Sequence, residues 1–258
     1  MVTITLQLFD YSDAHTFKLD WVKTQFADRI RVALEWFVNQ IQYLISQAPG
    51  ARQIPQIGWL GIVALVALVT YATTNFRVAI LATAGFLSFG LLGFWTESMD
   101  TLALTIAAVL IALLIGIPLG ILAGLFPKWE KALQPILDFS QIMPTFVYLT
   151  PVTLMFLIGA ASSTFVTLVY AIPPALRITA VAIKEVPHAS IEATTSMGST
   201  KWQILRKVQL PQAKRTIVVG INQTIMAALS MVTIAALIDA PGLGKVVVLA
   251  LESLDVGK

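Results

Sequence analysis

Six uninterrupted apolar runs, each long enough to cross a bilayer as a helix, leave this chain few folds to choose from. They extend over Ile57 to Thr74, Val78 to Trp95, Thr101 to Phe126, Thr145 to Ala161, Thr164 to Ile183 and Thr216 to Ile238. A helix needs about 17 to 25 such residues to span a hydrocarbon core of about 30 Å. Lipid offers no partner to a free amide or carbonyl, so the backbone must satisfy itself within each span. Apolar residues make up 57% of the chain and charged ones only 12%, more than a water-facing surface tolerates. The expected fold is an all-α integral membrane protein, a polytopic bundle of about six spans.

Charge sets the expected orientation, because short cytoplasmic loops collect Lys and Arg. The segment between the last two runs carries Lys184, Lys201, Arg206, Lys207, Lys214 and Arg215 against Glu185 and Glu192, which places it inside. Alternation then puts the loops Thr96 to Asp100 and Ala160 to Ser163 outside, and Arg77 and a Lys128/Lys131 loop inside. Residues 1 to 56 fall outside, with five basic residues balanced by five acidic ones. They lack a basic stretch followed by a continuous apolar core, so no cleavable signal peptide is expected. Leu19, Val22, Phe26, Ile30, Ala33, Phe37, Ile41 and Leu44 instead recur at steps of three and four, the stripe of an amphipathic helix. Such a helix lies in the outer interface, flanks the bundle or touches a partner.

Small residues and prolines shape the spans. Gly116, Gly120 and Gly124 bare one helix face for close approach. Pro118, Pro144, Pro151, Pro173 and Pro174 each remove an amide donor within or at the end of a span, and are expected to bend or interrupt it. Broken backbone at membrane depth needs protein or water beside it, so Pro144, Pro151, Pro173 and Pro174 are candidate kinks or gates, with kinked packing as the alternative. Arg177 near a cytoplasmic end snorkels, gates or pairs with another subunit.

The basic segment reads as two short helices at the membrane face. Pro187 stops the preceding span, Ser190 caps a new helix, Glu192 sits in its first turn, and Gly198 suits a left-handed stop. Thr200 with Gln203 forms a capping-box pattern, and Pro211 is expected to end the second helix. Trp202, Ile204, Leu205 and Val208 are too apolar to stand in water unsupported, while the flanking bases suit a wet surround, as a groove on a cytoplasmic partner would provide.

Glu192-Ala193, then Gly198, then Ile204 and Leu210-Pro211 resemble the coupling motif of ABC importer permeases, with Thr194 where that motif has Ala. The segments Pro135 to Asp138, Pro144 to Leu149, Ile172-Pro173-Pro174 to Arg177, Gly220 to Thr224, Ala228 to Val232 and Gly242-Leu243-Gly244 are similar to the glycine betaine/proline betaine permease branch. The resemblance implies a type I importer permease whose residues 96–258 form the transmembrane domain. Its coupling loop is 184–211, and it is preceded by two accessory helices in 57–95 and the extracytoplasmic segment 1–56. It implies a second permease copy forming a homodimer, a cytoplasmic ABC ATPase dimer holding ATP and Mg, and an extracytoplasmic or fused substrate-binding protein. It also implies one more span past Leu254 to Lys258, so that this chain would be a shortened form.

The residues themselves favour transport over catalysis. Gly242-Leu243-Gly244-Lys245 lacks both the first glycine and the Ser/Thr of a phosphate loop, where Asp239 and Val246 stand. With His15 and His188 as the sole histidines and no cysteine, neither a metal site nor a catalytic cluster is expected, and ATP chemistry falls to a partner. Asn222, Gln223, Ser230 and Thr233 form a polar stripe on the last run that lines a pathway or cross-links helices. Phe146 and Tyr148 offer aromatic faces to a quaternary ammonium, or pack as core. The substrate class is a small betaine-type osmolyte, with choline, an amino acid or another small solute as sister readings. An ATP-independent channel or secondary transporter is the reading from another class. Lipid is the remaining partner, and nucleic acid is none.

Overall fold

The computed structural model describes residues 27–45 and 59–253, and among these every regular element is helical. In chain order they are α1 Asp28–Ile45, α2 Trp59–Thr73, α3 Phe76–Leu91, α4 Trp95–Leu125, α5 Pro127–Ile142, α6 Leu149–Phe156, α7 Ala160–Lys184, α8 His188–Ser196, α9 Lys201–Ile204, α10 Leu210–Ala235 and α11 Leu243–Glu252. The expected amphipathic positions Leu19, Val22 and Phe26 lie outside the described residues, as do Ile57 and the segment Leu254 to Lys258.

Three helices build the centre. α4 lies along α7 because Gly116, Gly120 and Gly124 leave room for Ala175, Thr179 and Ile183 opposite them: a Cβ on Gly120 would stand 2.6 Å from the Leu176 carbonyl oxygen. The small-residue stripe is thus the seam of the closest helix pair. α10 packs on the other side of α7, with Gly220 facing Ile178, and Ala228, Val109, Ala112, Leu168 and Ala171 fill the space among the three. Three buried threonines of these helices are satisfied from within. Thr105, Thr167 and Thr224 each donate to the carbonyl four residues back in their own helix, which satisfies a hydroxyl inside an apolar bundle.

α1 flanks this bundle. Ala27, just ahead of it, is buried with Leu149, Val152, Phe156, Val166 and Met231, and its Val38 with Leu104, Ala107 and Val232. Gln42 donates from Nε2 to the Asp100 carboxylate at 3.1 Å. α2 and α3 form a peripheral hairpin in which Trp59 covers Gly90 and meets Trp95 with ring centroids 6.1 Å apart. Leu60, Leu68, Leu81 and Leu91 point outward, as suits a lipid-facing surface.

The apolar runs map unevenly onto these helices. α4, α7 and the continuous stretch Lys201–Ile238 are each long and apolar enough to cross a membrane, α2 and α3 are shorter apolar helices, and α5 with the Thr145–Phe156 segment forms a pair bent by 105°. The run Thr145 to Ala161 is not one helix. It holds a 3-10 turn over Thr145–Tyr148, the eight residues of α6, and a break where Leu157 has φ 63° and Gly159 has φ 141°. Thr96 to Asp100 and Ala160 to Ser163, expected as loops, are the opening turns of α4 and α7, and Lys128 and Lys131 belong to helix α5.

Pro118, Pro173 and Pro174 do not interrupt their helices. Each loses one internal hydrogen bond, but the tight α4–α7 packing around Gly116, Ala175 and Leu176 holds the backbone helical. Pro151 occupies the first turn of α6, where its missing amide would have no intrahelical partner anyway. Pro144 alone among the expected kinks stands at a real break, ahead of the 3-10 turn.

The Gly242-Leu243-Gly244 turn starts α11 against α4. Gly242 has φ 129° and ψ −173°, and the Leu243 amide donates to Thr101 Oγ1 at 2.8 Å. A Cβ on Gly242 would lie 2.4 Å from that same Oγ1. Gly242→Ala therefore combines backbone strain with a clash, and is expected to cost about 1–3 kcal/mol, read as a lower melting temperature of the purified protein in detergent.

Candidate functional site

The basic loop is moored at its apolar side and bare at its other. Ala182, Ile183, Val186, Leu205 and Ala213 form a buried cluster against which Ile191, Leu210 and Ile217 pack. α8 begins at His188 with Pro187 as its cap, so Ser190 lies within the first turn and Glu192 one turn farther in than the sequence suggests. α8 ends in a double closure: the Gly198 amide donates to Thr195 O at 2.9 Å and the Ser199 amide to Thr194 O at 3.2 Å, with Gly198 at φ 80°. This paired geometry is the common left-handed helix stop.

α9 opens with the expected reciprocal cap. The Thr200 amide donates to Gln203 Oε1 at 2.8 Å, and the Gln203 amide to Thr200 Oγ1 at 3.4 Å. Pro211 does not terminate this helix. Leu205–Gln209 widens into a π-turn in which the Leu210 amide reaches back to Leu205 O, and α10 follows with Pro211 in its opening turn. Proline fits there because helix openings leave amides unpaired.

The outcome is a surface with Glu192 and Ala193 exposed, Met197 83% exposed and Trp202 67% exposed, standing on buried Ile204 and Leu205. Trp202 is therefore the apolar residue that stays uncovered, whereas Ile204 and Leu205 find cover within the chain. A cleft of about 860 Å³ opens between this loop and the end of α4, lined by Leu122, Leu125, Phe126, Ile191, Trp202 and Leu205 among others.

Two further features sit behind the loop. Arg177 pairs with Asp138, and Lys184 with Glu130, so α7 holds α5 by two ion pairs within this chain. At the 105° bend, the Tyr148 hydroxyl donates to Ser140 O at 2.7 Å. Neither the ion pairs nor the tyrosine bridge was legible in spacing, since each joins residues on different elements. Phe146 is largely exposed beside the bend. Asn222, Gln223, Ser230 and Thr233 all lie exposed on α10, and the Ser230 and Thr233 hydroxyls donate to Met226 O and Leu229 O of their own helix. No group of three or more His, Cys, Asp or Glu among the described residues is arranged to hold a metal ion.

A family model described as the binding-protein-dependent transport system inner membrane component matches residues 116–257, from the α4 seam through α11. The chain belongs to this permease family. Among its relatives is the glycine betaine/proline betaine transport system permease protein ProW of Escherichia coli, 37% identical over 242 residues, covering 93% of this chain and 66% of ProW. The glycine betaine transport system permease protein OpuAB of Bacillus subtilis is 41% identical over 93% of this chain and 83% of its own length. The glycine betaine/carnitine permease GbuB of Listeria monocytogenes is 43% identical over 86% of this chain and 81% of its own length. A chain of the MetNI methionine ABC transporter, solved in inward-facing conformations, shares the fold with a TM-score of 0.51 and 26% identity, over 57% of this chain and 74% of that one. As a member of this permease family the chain is a multi-pass membrane transport subunit and not an enzyme. α1, α2 and α3 precede the family match, whereas the basic loop, the α5–α6 bend and the polar stripe of α10 fall within it.

Proposed function

We propose that this permease imports glycine betaine, proline betaine and similar osmoprotectants by alternating access, driven by an ATPase dimer docked on the loop 184–211. The observation that carries the reading is the folded loop: a capped α8 and α9 that leave Glu192, Met197 and Trp202 exposed while Ile191 and Leu205 fix them to α7 and α10. A movement imposed on such a surface is passed to the spans through a packed core. The betaine class is supported by three relatives that carry that name.

In this reading a second permease copy completes the pathway, with Asn222, Gln223, Ser230 and Thr233 of α10 and Phe146 and Tyr148 near the bend facing it. These α10 side chains are exposed in the single chain, as residues awaiting a partner or a water-filled path would be. An extracytoplasmic binding protein delivers the solute on the side where the N-terminal segment lies, and ATP and Mg reside on the ATPase. Ala193, Gly198, Ile204, Leu210 and Pro211 shape the coupling surface and Glu192 orients it.

The test is ATP-dependent uptake of labelled glycine betaine into proteoliposomes holding the permease, its ATPase and its binding protein. Uptake in the parent, reduced about tenfold or more by Glu192→Arg in protein that still inserts, is the expected result. An ATPase that binds without any betaine uptake in the parent would reject the substrate class, and an unaffected Glu192→Arg variant would reject the docking surface.

A further inference from the structure

α5 is held on α7 in an unusual way. The two helices run antiparallel with Glu130 opposite Lys184 and Asp138 opposite Arg177, so an ion pair closes each end of the seam. Between them lies a cavity of about 220 Å³, lined by Leu133 and Leu137 of α5, Leu176 and Ala180 of α7, and Ala123 of α4. Ala123, Leu137, Leu176 and Ala180 meet beside it as a buried apolar cluster on which Leu133 packs, but this seam lacks the glycines that bring backbone against side chain between α4 and α7. All four charged side chains are half-exposed, and such pairs add little to stability. Their worth is positional: they fix the register of α5 on α7 at both ends of this apolar contact.

The two ends of this seam adjoin the basic loop and the α5–α6 bend. Lys184 is the last residue of α7, three residues before Pro187 and four before α8 opens at His188. Ser140, two residues past Asp138, accepts from the Tyr148 hydroxyl across the bend, and Tyr148 leads into α6, whose Leu149, Val152 and Phe156 pack on Val166 and Met231. A continuous path of contacts therefore runs from the coupling loop through α5 to the middle of the bundle.

We propose that the Glu130–Lys184 and Asp138–Arg177 pairs are a transmission clamp that makes α5 follow the coupling loop, so that displacement of α8 turns the α5–α6 bend. The four are positioning residues, and the proposal rests on the ATP-driven reading above. Because the short link 143–148 and the Tyr148 hydroxyl tie α5 to α6, a clamped α5 rotates the bend, while an unclamped α5 slips along α7.

The chain contains no cysteine, so spin labels can be placed at will. One pair, Leu81→Cys with Ile136→Cys, reports α5 against the peripheral hairpin; a second, Leu81→Cys with Ala189→Cys, reports α8, and all three positions are exposed. Distances are measured in the assembled importer, nucleotide-free and trapped with ATP and vanadate. Both pairs are expected to shift in the parent. In Glu130→Gln/Asp138→Asn the α8 shift persists, the α5 shift is lost, and solute moved per ATP falls about tenfold while ATP hydrolysis continues. The charge swap Asp138→Arg/Arg177→Asp restores both the shift and the ratio, which a merely structural defect would not allow. The single variants Glu130→Gln and Asp138→Asn serve where the double one does not assemble. An α5 that does not shift in the parent, or that shifts alike in the neutral variant, overturns the proposal, as does a swap without rescue. Label shifts as expected with no betaine uptake in the parent reject the substrate and leave the clamp standing.

Discussion

Gly120→Leu is expected to prevent recovery of folded permease, with the protein collecting in aggregates where the parent elutes as a single species in detergent. The reason is geometric. A Cβ at Gly120 meets the Leu176 carbonyl oxygen at 2.6 Å and the Thr179 Cβ at 2.7 Å, and neither can swing away as the end of a flexible side chain could. Relief requires α4 and α7 to separate, and separation also loosens Gly116 against Ala175 and Gly124 against Ile183, whose added carbons would sit at 2.6 and 2.8 Å. Overpacking costs about 1–3 kcal/mol where neighbours can shift to relieve it and more where, as here, backbone blocks relief, and a folded domain has a margin of only about 5–15 kcal/mol. Here one substitution loads the seam around which α10 and α1 are also arranged. Gly85→Leu is the matching control, because nothing lies within 4 Å of a Cβ there. It is expected to leave the elution profile unchanged, since a helical glycine away from contacts gains from a side chain. Equal behaviour of the two variants would show that the α4–α7 seam does not set the fold.

That seam was legible in the sequence because three glycines at steps of four say where backbones meet, whatever the partner helix. The capping box at Thr200 and the stop at Gly198 were legible for a similar reason: each is local, and a few residues suffice to state its geometry. Legibility failed where a tertiary contact overrides a local rule. Pro173 and Pro174 look like breakers, yet α7 runs through them because α4 and α10 hold it on both sides. Pro211 looks like a stop, yet the chain widens into a π-turn and continues. The run Thr145 to Ala161 has the hydropathy of a span, but Leu157 and Gly159 break it through backbone angles that hydropathy does not register. The pairs Asp138–Arg177 and Glu130–Lys184 join residues 39 and 54 positions apart, so only the folded chain brings them together.

The second large effect is expected at Gly198. Gly198→Pro should abolish ATP-dependent uptake while the spans remain folded, because the residue lies in an exposed turn far from the α4–α7 seam. Proline fixes φ near about −65°, whereas Gly198 sits at φ 80°. It also deletes the amide that donates to Thr195 O, and with it the neighbouring Ser199 to Thr194 closure that sets how α8 leaves for α9. Glu192 and Met197 would then face a docked ATPase from a changed angle, although the apolar mooring of Ile191 remains. Space is not the constraint at this position, since nothing lies within 4 Å of a Cβ on Gly198. Gly198→Asn therefore separates conformation from bulk: asparagine tolerates left-handed backbone better than other side chains, and uptake should stay within about twofold of the parent. Gly198→Val, which pays the left-handed penalty of about 1–2 kcal/mol without losing the amide, should fall between them. This ranking of Asn, Val and Pro, read as uptake and as ATPase retained on the purified permease, follows from φ and from the Gly198 amide. A proline variant that transports and holds its ATPase like the parent would mean that α8 does not need its left-handed stop, and the coupling surface would then have to be sought elsewhere on the loop.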